Sequence, residues 1–233
     1  MTPLSQKKRI SIDIVSDVVC PWCYIGKKRL DQAIQQLQNE FEFEVTFRPF
    51  QLDPTVPETG TDFKNHLEKK FGTGRLTEMF SRVEAVGEAV GIGFDFHRIP
   101  KAINTLPLHN ILQEAAKEGI EERVALLFFE SYFEKGVDLT NFSNLAGLMG
   151  QFGWEENKTR DIVQDKAREK EIKEQIRHFQ GLGISGVPYF IINEKYGISG
   201  AQPSETFVQT FRSLLPTDFA QSSSAACAVD GDC

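Results

Sequence analysis

The chain has no apolar run near the roughly 20 residues that a membrane-spanning helix requires, so a helical membrane protein is excluded and no membrane partner is expected. It also lacks a clustered basic face, and its formal charge at pH 7 is −7. Binding to a nucleic-acid backbone depends on Lys and Arg neutralising phosphates, so nucleic acid is not an expected partner either. The opening segment MTPLSQKKRISIDIV carries a short basic patch but not the apolar core of about 7–15 residues found in a secretory signal, which points to a cytoplasmic protein. Cysteine is scarce. Four cysteines in 233 residues are too few for a disulfide-scaffolded secreted domain, and they fall into two close pairs at opposite ends of the chain, Cys20 with Cys23 and Cys227 with Cys233. A zinc site wants four ligands, often two CxxC pairs. The second pair has five residues between its members and lies in an aperiodic tail, so no metal is expected. Internal repeats are absent.

What the chain has is apolar material for a substantial core, 40% of its residues, with 19 phenylalanines, enough to fold without disulfides. RISIDIVSD alternates Ile10, Ile12 and Ile14 with Ser11 and Asp13, the two-residue period of a strand. In the following YIGKKRLDQAIQQLQNEF, Ile25, Leu30, Ala33, Ile34 and Leu37 recur at helical spacing, and Pro21 suits the first turn of that helix. FEFEVTFRPF then alternates Phe41, Phe43, Val45 and Phe47 with Glu42, Glu44 and Thr46. Strand, helix, strand opens a βαβ unit. From Asp62 to His178 the period is helical, with a stripe through Leu76, Met79, Phe80 and Val83 and an aromatic cluster of Phe128, Phe129, Tyr132 and Phe133. This predicts about five to seven helices. Strand character returns in VPYFIIN and ISG before PSETFVQTFRSLL closes as a helix. The order fits a small α/β sheet interrupted by a helical insertion.

The leading cysteine of Cys20-Pro21-Trp22-Cys23 stands at the strand-to-helix junction. There it faces unpaired backbone amides and the positive end of the helix dipole, which favour a thiolate over a thiol. Cys20 is therefore the expected nucleophile. Cys23, one turn on and flanked by Trp22 and Tyr24, is expected to be more sheltered, as suits a resolving thiol that releases a mixed disulfide by internal attack. A purely structural bridge so short would constrain the unfolded chain little. Some twelve residues from Leu215 to Cys227 give a random-coil reach of roughly 20 Å, so the tail pair Cys227 and Cys233 is read as an auxiliary redox pair exchanging electrons with Cys20 and Cys23. The competing reading is an incidental or metal-scavenging tail.

SDVVCPWC after a first strand, a helical insertion, then GISGVPYFIIN and GAQPSETF resemble the thioredoxin-fold superfamily, and within it the DsbA-like proteins of the FrnE type, over residues 10–215. The resemblance implies a thioredoxin-like α/β fold with a large inserted all-helical domain. Residues 1–55 and 180–218 would form the thioredoxin-like domain, residues 56–179 the insertion, and residues 219–233 a flexible tail. It further implies that Pro188 is cis beside the cysteine pair, and that Val187 offers backbone hydrogen bonds to an extended substrate in a groove shared with Trp22. Asp17 recurs in the resemblance, either ordering the loop or accepting a proton. INTLPLHN resembles a family segment at Asn104, Thr105 and His109 and departs from it at Pro107 and Leu108. His109 then either lines the cleft near Cys20 or sits on a helix face with a satisfied hydrogen bond.

Three functions compete. The favoured one is a thiol-disulfide oxidoreductase in which Cys20 attacks, Cys23 resolves and Pro188 shapes the groove. Its partner would be a disulfide- or thiol-containing protein or small molecule, with no bound cofactor and glutathione serving as a reductant. The rival is a glutathione-dependent isomerase or transferase acting on a small aromatic molecule, like the 2-hydroxychromene-2-carboxylate isomerases and kappa-class transferases of the same superfamily. Those usually have Ser at the leading position and a GxDR-like turn after the last strand. Here the residues are Cys20 and Gly200-Ala201-Gln202-Pro203, and both departures favour dithiol chemistry. The third is a chaperone-like binding module that keeps its thiols only for structure.

Overall fold

The computed structural model describes residues 7–214, so Cys227 and Cys233 lie outside the described residues. Strand β1 (Lys8–Ser16), helix α1 (Pro21–Leu37) and strand β2 (Phe41–Pro49) form the βαβ unit, with β2 parallel to β1 in the register Ile10↔Phe43 and Ile14↔Phe47. β1 is central in its sheet, and Ile10, Ile12 and Ile14 are buried; removing such side chains from water stabilises the fold by about 1.5–3 kcal/mol each.

The insertion follows: β3 (Thr61–Asp62), α2 (Phe63–Phe71), α3 (Leu76–Glu88), a single 3-10 turn (Phe96–Arg98), β4 (Lys101–Ala102), α4 (Leu106–Lys117), α5 (Glu121–Phe133), α6 (Phe142–Gly150), α7 (Glu156–Val163) and α8 (Lys166–Gly181). It is helical apart from the two-residue ladder of β3 with β4. Asp62, Asn141 and Asp165 accept from backbone amides in the first turns of α2, α6 and α8, which satisfies donors that a helix start otherwise leaves unpaired. α5 lies against α1. The Tyr24 ring stacks on Phe129 at 5.2 Å, and the Tyr24 hydroxyl donates to Glu134 Oε1 at 2.8 Å. One hydrophobic core therefore runs from the sheet through α1 into α3, α4, α5 and α6.

Strands β5 (Tyr189–Ile192) and β6 (Tyr196–Ser199) complete an antiparallel flank in the order β2-β1-β5-β6, and α9 (Ser204–Ser213) packs beside α1. The β5–β6 turn places Asn193 and Glu194 at φ of 50° and 57°, with Lys195 N donating to Ile192 O at 3.1 Å. Asn tolerates the left-handed region, whereas Glu is strained there. Glu194→Gly is therefore expected to raise stability by about 0.5–1 kcal/mol. A thermal midpoint that stays level or falls would contradict this.

Candidate active site

Cys20 is the N-cap of α1, with φ −97° and ψ 109° and Pro21 behind it. No acidic residue lies in the first turn of α1, so no carboxylate there competes for the positive end of the dipole. A tight turn fixes the position: Cys20 N donates to Asp17 O, and Cys23 N to Cys20 O, each at 3.0 Å. On the neighbouring segment the Val187–Pro188 peptide is cis. Cys20 Sγ donates to Val187 O at 3.5 Å, and Gly200 N donates to Pro188 O at 2.9 Å. Gly26 permits this approach, since a Cβ there would stand 3.1 Å from side-chain atoms of both Pro188 and Phe190.

Both cysteines are buried, Cys20 at 3% and Cys23 at 1% exposure. What separates them is access, because Cys20 lies on the wall of a cavity of about 310 Å³ and Cys23 is not among the residues lining it. Burial pushes the Cys23 thiol well above the ordinary range, with the hydrogen bond and charge of Cys20 adding to the shift; the Ser16 hydroxyl and the Asp17 amide oppose it and are outweighed. Trp22, Phe63, Phe80, Phe96, Tyr132 and Val187 contribute to a largely apolar wall. On the edge of the same cavity, Asp53 Oδ2 accepts from Lys70 Nζ at 3.0 Å and faces His66 Nε2 at 3.2 Å. Burial disfavours the Asp53 anion, but hydrogen bonds from Thr55 and Lys70 prevail and hold its carboxyl down at about 2.

Asp17 is fully buried. Its Oδ2 accepts from Leu52 N at 2.7 Å, tying the loop after β2 to the cysteine turn. His109 is not among the residues lining the Cys20 cavity. Its Nε2 lies 2.9 Å from Phe50 O, and since a carbonyl only accepts, that nitrogen carries the proton. The ring lines a second cavity of about 140 Å³ with Ser16, Arg48 and Glu121. Asn104 is equally committed, accepting from Gln51 Nε2 at 2.9 Å and donating to Val56 O at 2.8 Å. Leu52, Asp53, His66 and Lys70 carried no signal that was read from the sequence, although His66 and Lys70 stand four apart on one face of α2.

Glu121 accepts from Phe47 N at 3.0 Å, and burial pushes its carboxyl up to about 7 against the opposing pull of that hydrogen bond and of Arg48. A folded-state value raised above the unfolded one means stability that is complete below about pH 4.5 and is lost as pH rises through about 7. Glu121→Gln keeps the acceptor and removes the titration. The variant is expected to be more stable than wild type at pH 8 by about 1–3 kcal/mol and to lose the slope between pH 5 and 7 in urea midpoints; parallel profiles would refute the assignment.

Among the described residues no cluster of three or more His, Cys, Asp or Glu could hold a metal ion, and no helix is long and apolar enough to cross a membrane. Residues 11–212 match the DSBA-like thioredoxin domain family. An uncharacterized protein of Bacillus subtilis, YwbO, is 22% identical over 201 residues, which cover 85% of this chain and 94% of that protein. The crystal structure of a probable DsbA oxidoreductase from Streptomyces coelicolor superposes with a TM-score of 0.81 at 28% identity, covering 95% of this chain and 97% of that one. A 2-hydroxychromene-2-carboxylate isomerase shares the fold, with a TM-score of 0.67 at 14% identity over 88% of this chain and 95% of its own.

Proposed function

The chain belongs to the DSBA-like thioredoxin domain family, and from that premise we propose that it is a thiol-disulfide oxidoreductase of the FrnE type, working through Cys20 and Cys23. The observation that carries this reading is the unequal placement of the two thiols. Cys20 caps α1 on the cavity wall against Val187 O, while Cys23 is sheltered behind it. In the cycle, the Cys20 thiolate attacks one sulfur of a substrate disulfide and the other sulfur leaves as a thiolate that takes up a proton. Cys23, losing its proton, then attacks Cys20 Sγ and expels the second substrate thiolate. Two electrons have passed to the substrate and Cys20–Cys23 is a disulfide, which a dithiol or two equivalents of glutathione returns to thiols. Run in reverse, the same steps oxidise a substrate dithiol. A cytoplasmic setting, where thiols are kept reduced, is part of the proposal.

The cycle itself needs only Cys20 and Cys23; exchange of electrons between them and the pair Cys227 and Cys233 is part of the proposal, and a chain truncated before Cys227 with unchanged turnover and reduction potential would remove it. The likeness to the isomerase is one of fold, and a cysteine at the leading position supports dithiol chemistry instead.

The deciding experiment is reduction of insulin by dithiothreitol with catalytic amounts of full-length protein. Wild type accelerates precipitation of the insulin B chain and a Cys20→Ser/Cys23→Ser variant does not; equal rates would sink the reading.

A further inference from the structure

The second cavity, of about 140 Å³, has no part in the dithiol cycle, yet it holds a carboxyl group without a counter-charge. Much of its wall is apolar, from Val18, Phe47, Leu112, Ala125, Phe129 and Ile172, and it reaches the surface beside the exposed Ala116. Glu121, in the first turn of α5, lines the same space. Its Oε2 accepts from Phe47 N at 3.0 Å, whereas its Oε1 has no hydrogen-bond partner among the described residues and is not shut off from solvent. The other acids acting on it are Asp13 on β1 and Glu122 on α5. Both are ion-paired, Asp13 with Arg48 at 2.9 Å and Glu122 with Lys27 at 2.6 Å. Glu121 has no ion pair among the described residues. From α4, His109 is committed through Nε2 to Phe50 O, and α8 contributes only the uncharged Ile172 and Gln175. Burial therefore outweighs the attraction of Arg48 and holds the Glu121 carboxyl up at about 7.

A carboxylate in such surroundings recovers its lost hydration by meeting a cation. A bare metal ion would find one carboxylate in a largely apolar wall, not the shell of oxygens it needs. An organic cation fits both parts of the site. The volume is close to that of an engineered apolar cavity of about 150 Å³ that takes up benzene, room for about six non-hydrogen atoms. We propose that this cavity binds a small primary ammonium carrying an apolar body of about five carbons: the ammonium donates to Glu121 Oε1, and the hydrocarbon covers Phe47, Leu112 and Phe129. The site is separate from the one that meets substrate disulfides. In the turn between β1 and α1, Ser16 and Val18 line this cavity, while Asp17, Val19 and Cys20 line the other.

Cyclopentylamine and cyclopentanol, charged and neutral at the same size, test it by calorimetric titration of the full chain at constant ionic strength. At pH 8.5, where Glu121 is ionised, the amine is expected to bind at least about tenfold more tightly than the alcohol. At pH 6 a carboxyl held at about 7 is only about one-tenth ionised. The amine is therefore expected to bind about tenfold more weakly there and to release close to one proton, read by repeating the titration in buffers of different ionisation enthalpy. The alcohol should show neither effect. Glu121→Gln is expected to erase both the amine's advantage and its pH dependence; should that variant fail to fold, the two comparisons on wild type still decide. Cys20→Ser/Cys23→Ser is expected to bind the amine within about twofold of wild type, since the site lies across the turn from Cys20. Equal affinity for amine and alcohol at pH 8.5, a flat pH profile, or an advantage that survives in folded Glu121→Gln overturns the inference. So does a loss of about tenfold or more in the cysteine variant, which would put the amine in the Cys20 cavity.

Discussion

Replacing Cys20 by serine is expected to lower the rate of disulfide exchange at least roughly 10³-fold, the scale on which loss of an essential nucleophile acts. Replacing Cys23 is expected to do something different in kind. With Cys20 intact, Cys23→Ser should complete the first displacement and stop, leaving half of the substrate attached to Cys20 as a stable mixed disulfide. The difference follows from position. Cys20 lies on the cavity wall at the end of a helix with no acidic residue in its first turn, whereas Cys23 is buried behind it, with its thiol pushed well above the ordinary range chiefly by burial. Only a deprotonated sulfur attacks, so Cys23 waits while Cys20 reacts. In wild type the resolving step should accelerate as pH rises, because more of Cys23 is then thiolate. Intact-mass spectrometry of Cys23→Ser after one turnover reads the adduct directly, and peptide mapping assigns it. An adduct on Cys23 in the Cys20→Ser protein, formed as fast as the Cys20 adduct in Cys23→Ser, would reverse the roles.

The parts of this arrangement visible in the sequence are those written in short-range pattern. The alternation of Ile10, Ile12 and Ile14 marks β1 because period two has one meaning over seven residues, and the CPWC run falls at the change of period that becomes the start of α1. β5 begins at Tyr189 and not at Val187, since Pro188 has no N–H to give a ladder. The β3–β4 ladder could not be read, because two residues have no period. Long-range assembly was equally hidden. Met79, Phe80 and Val83 read as a core stripe, and Phe80 does stack on Phe96 at 4.6 Å. Nothing in a helical period tells which side of such a stripe closes a core and which side leaves a cavity against Cys20. His109 had two readings, a cleft residue or a helix-face ring with a satisfied hydrogen bond, and the loop carbonyl of Phe50 that lies 2.9 Å from its Nε2 is one that only the fold brings near.

Lys27 is the sharpest case of that blindness, and it carries the second large expectation. It opens the basic run Lys27-Lys28-Arg29, yet its side chain is 0% exposed and meets Asp31 and Glu122, whose side chains are 38% and 48% exposed. The Glu122 contact, at 2.6 Å, joins the helix carrying the cysteines to the first turn of α5. Removing the partners and removing the charge should have unequal consequences. The Asp31→Ala/Glu122→Ala double variant leaves a buried ammonium without a counter-charge, and it is expected to lose about 3–5 kcal/mol, a fall in Tm of roughly 6–20 °C for a chain of this size. Lys27→Met takes away the charge together with its desolvation penalty and keeps most of the volume, so it is expected within about 1.5 kcal/mol of wild type. Urea unfolding of the two variants side by side measures the asymmetry. If Lys27→Met is as destabilised as the double variant, the contribution lies in the ion pairs themselves and not in the avoidance of an unpaired buried charge. If neither moves, α1 is held against α5 by apolar packing, the Tyr24–Phe129 stack and the Tyr24–Glu134 hydrogen bond.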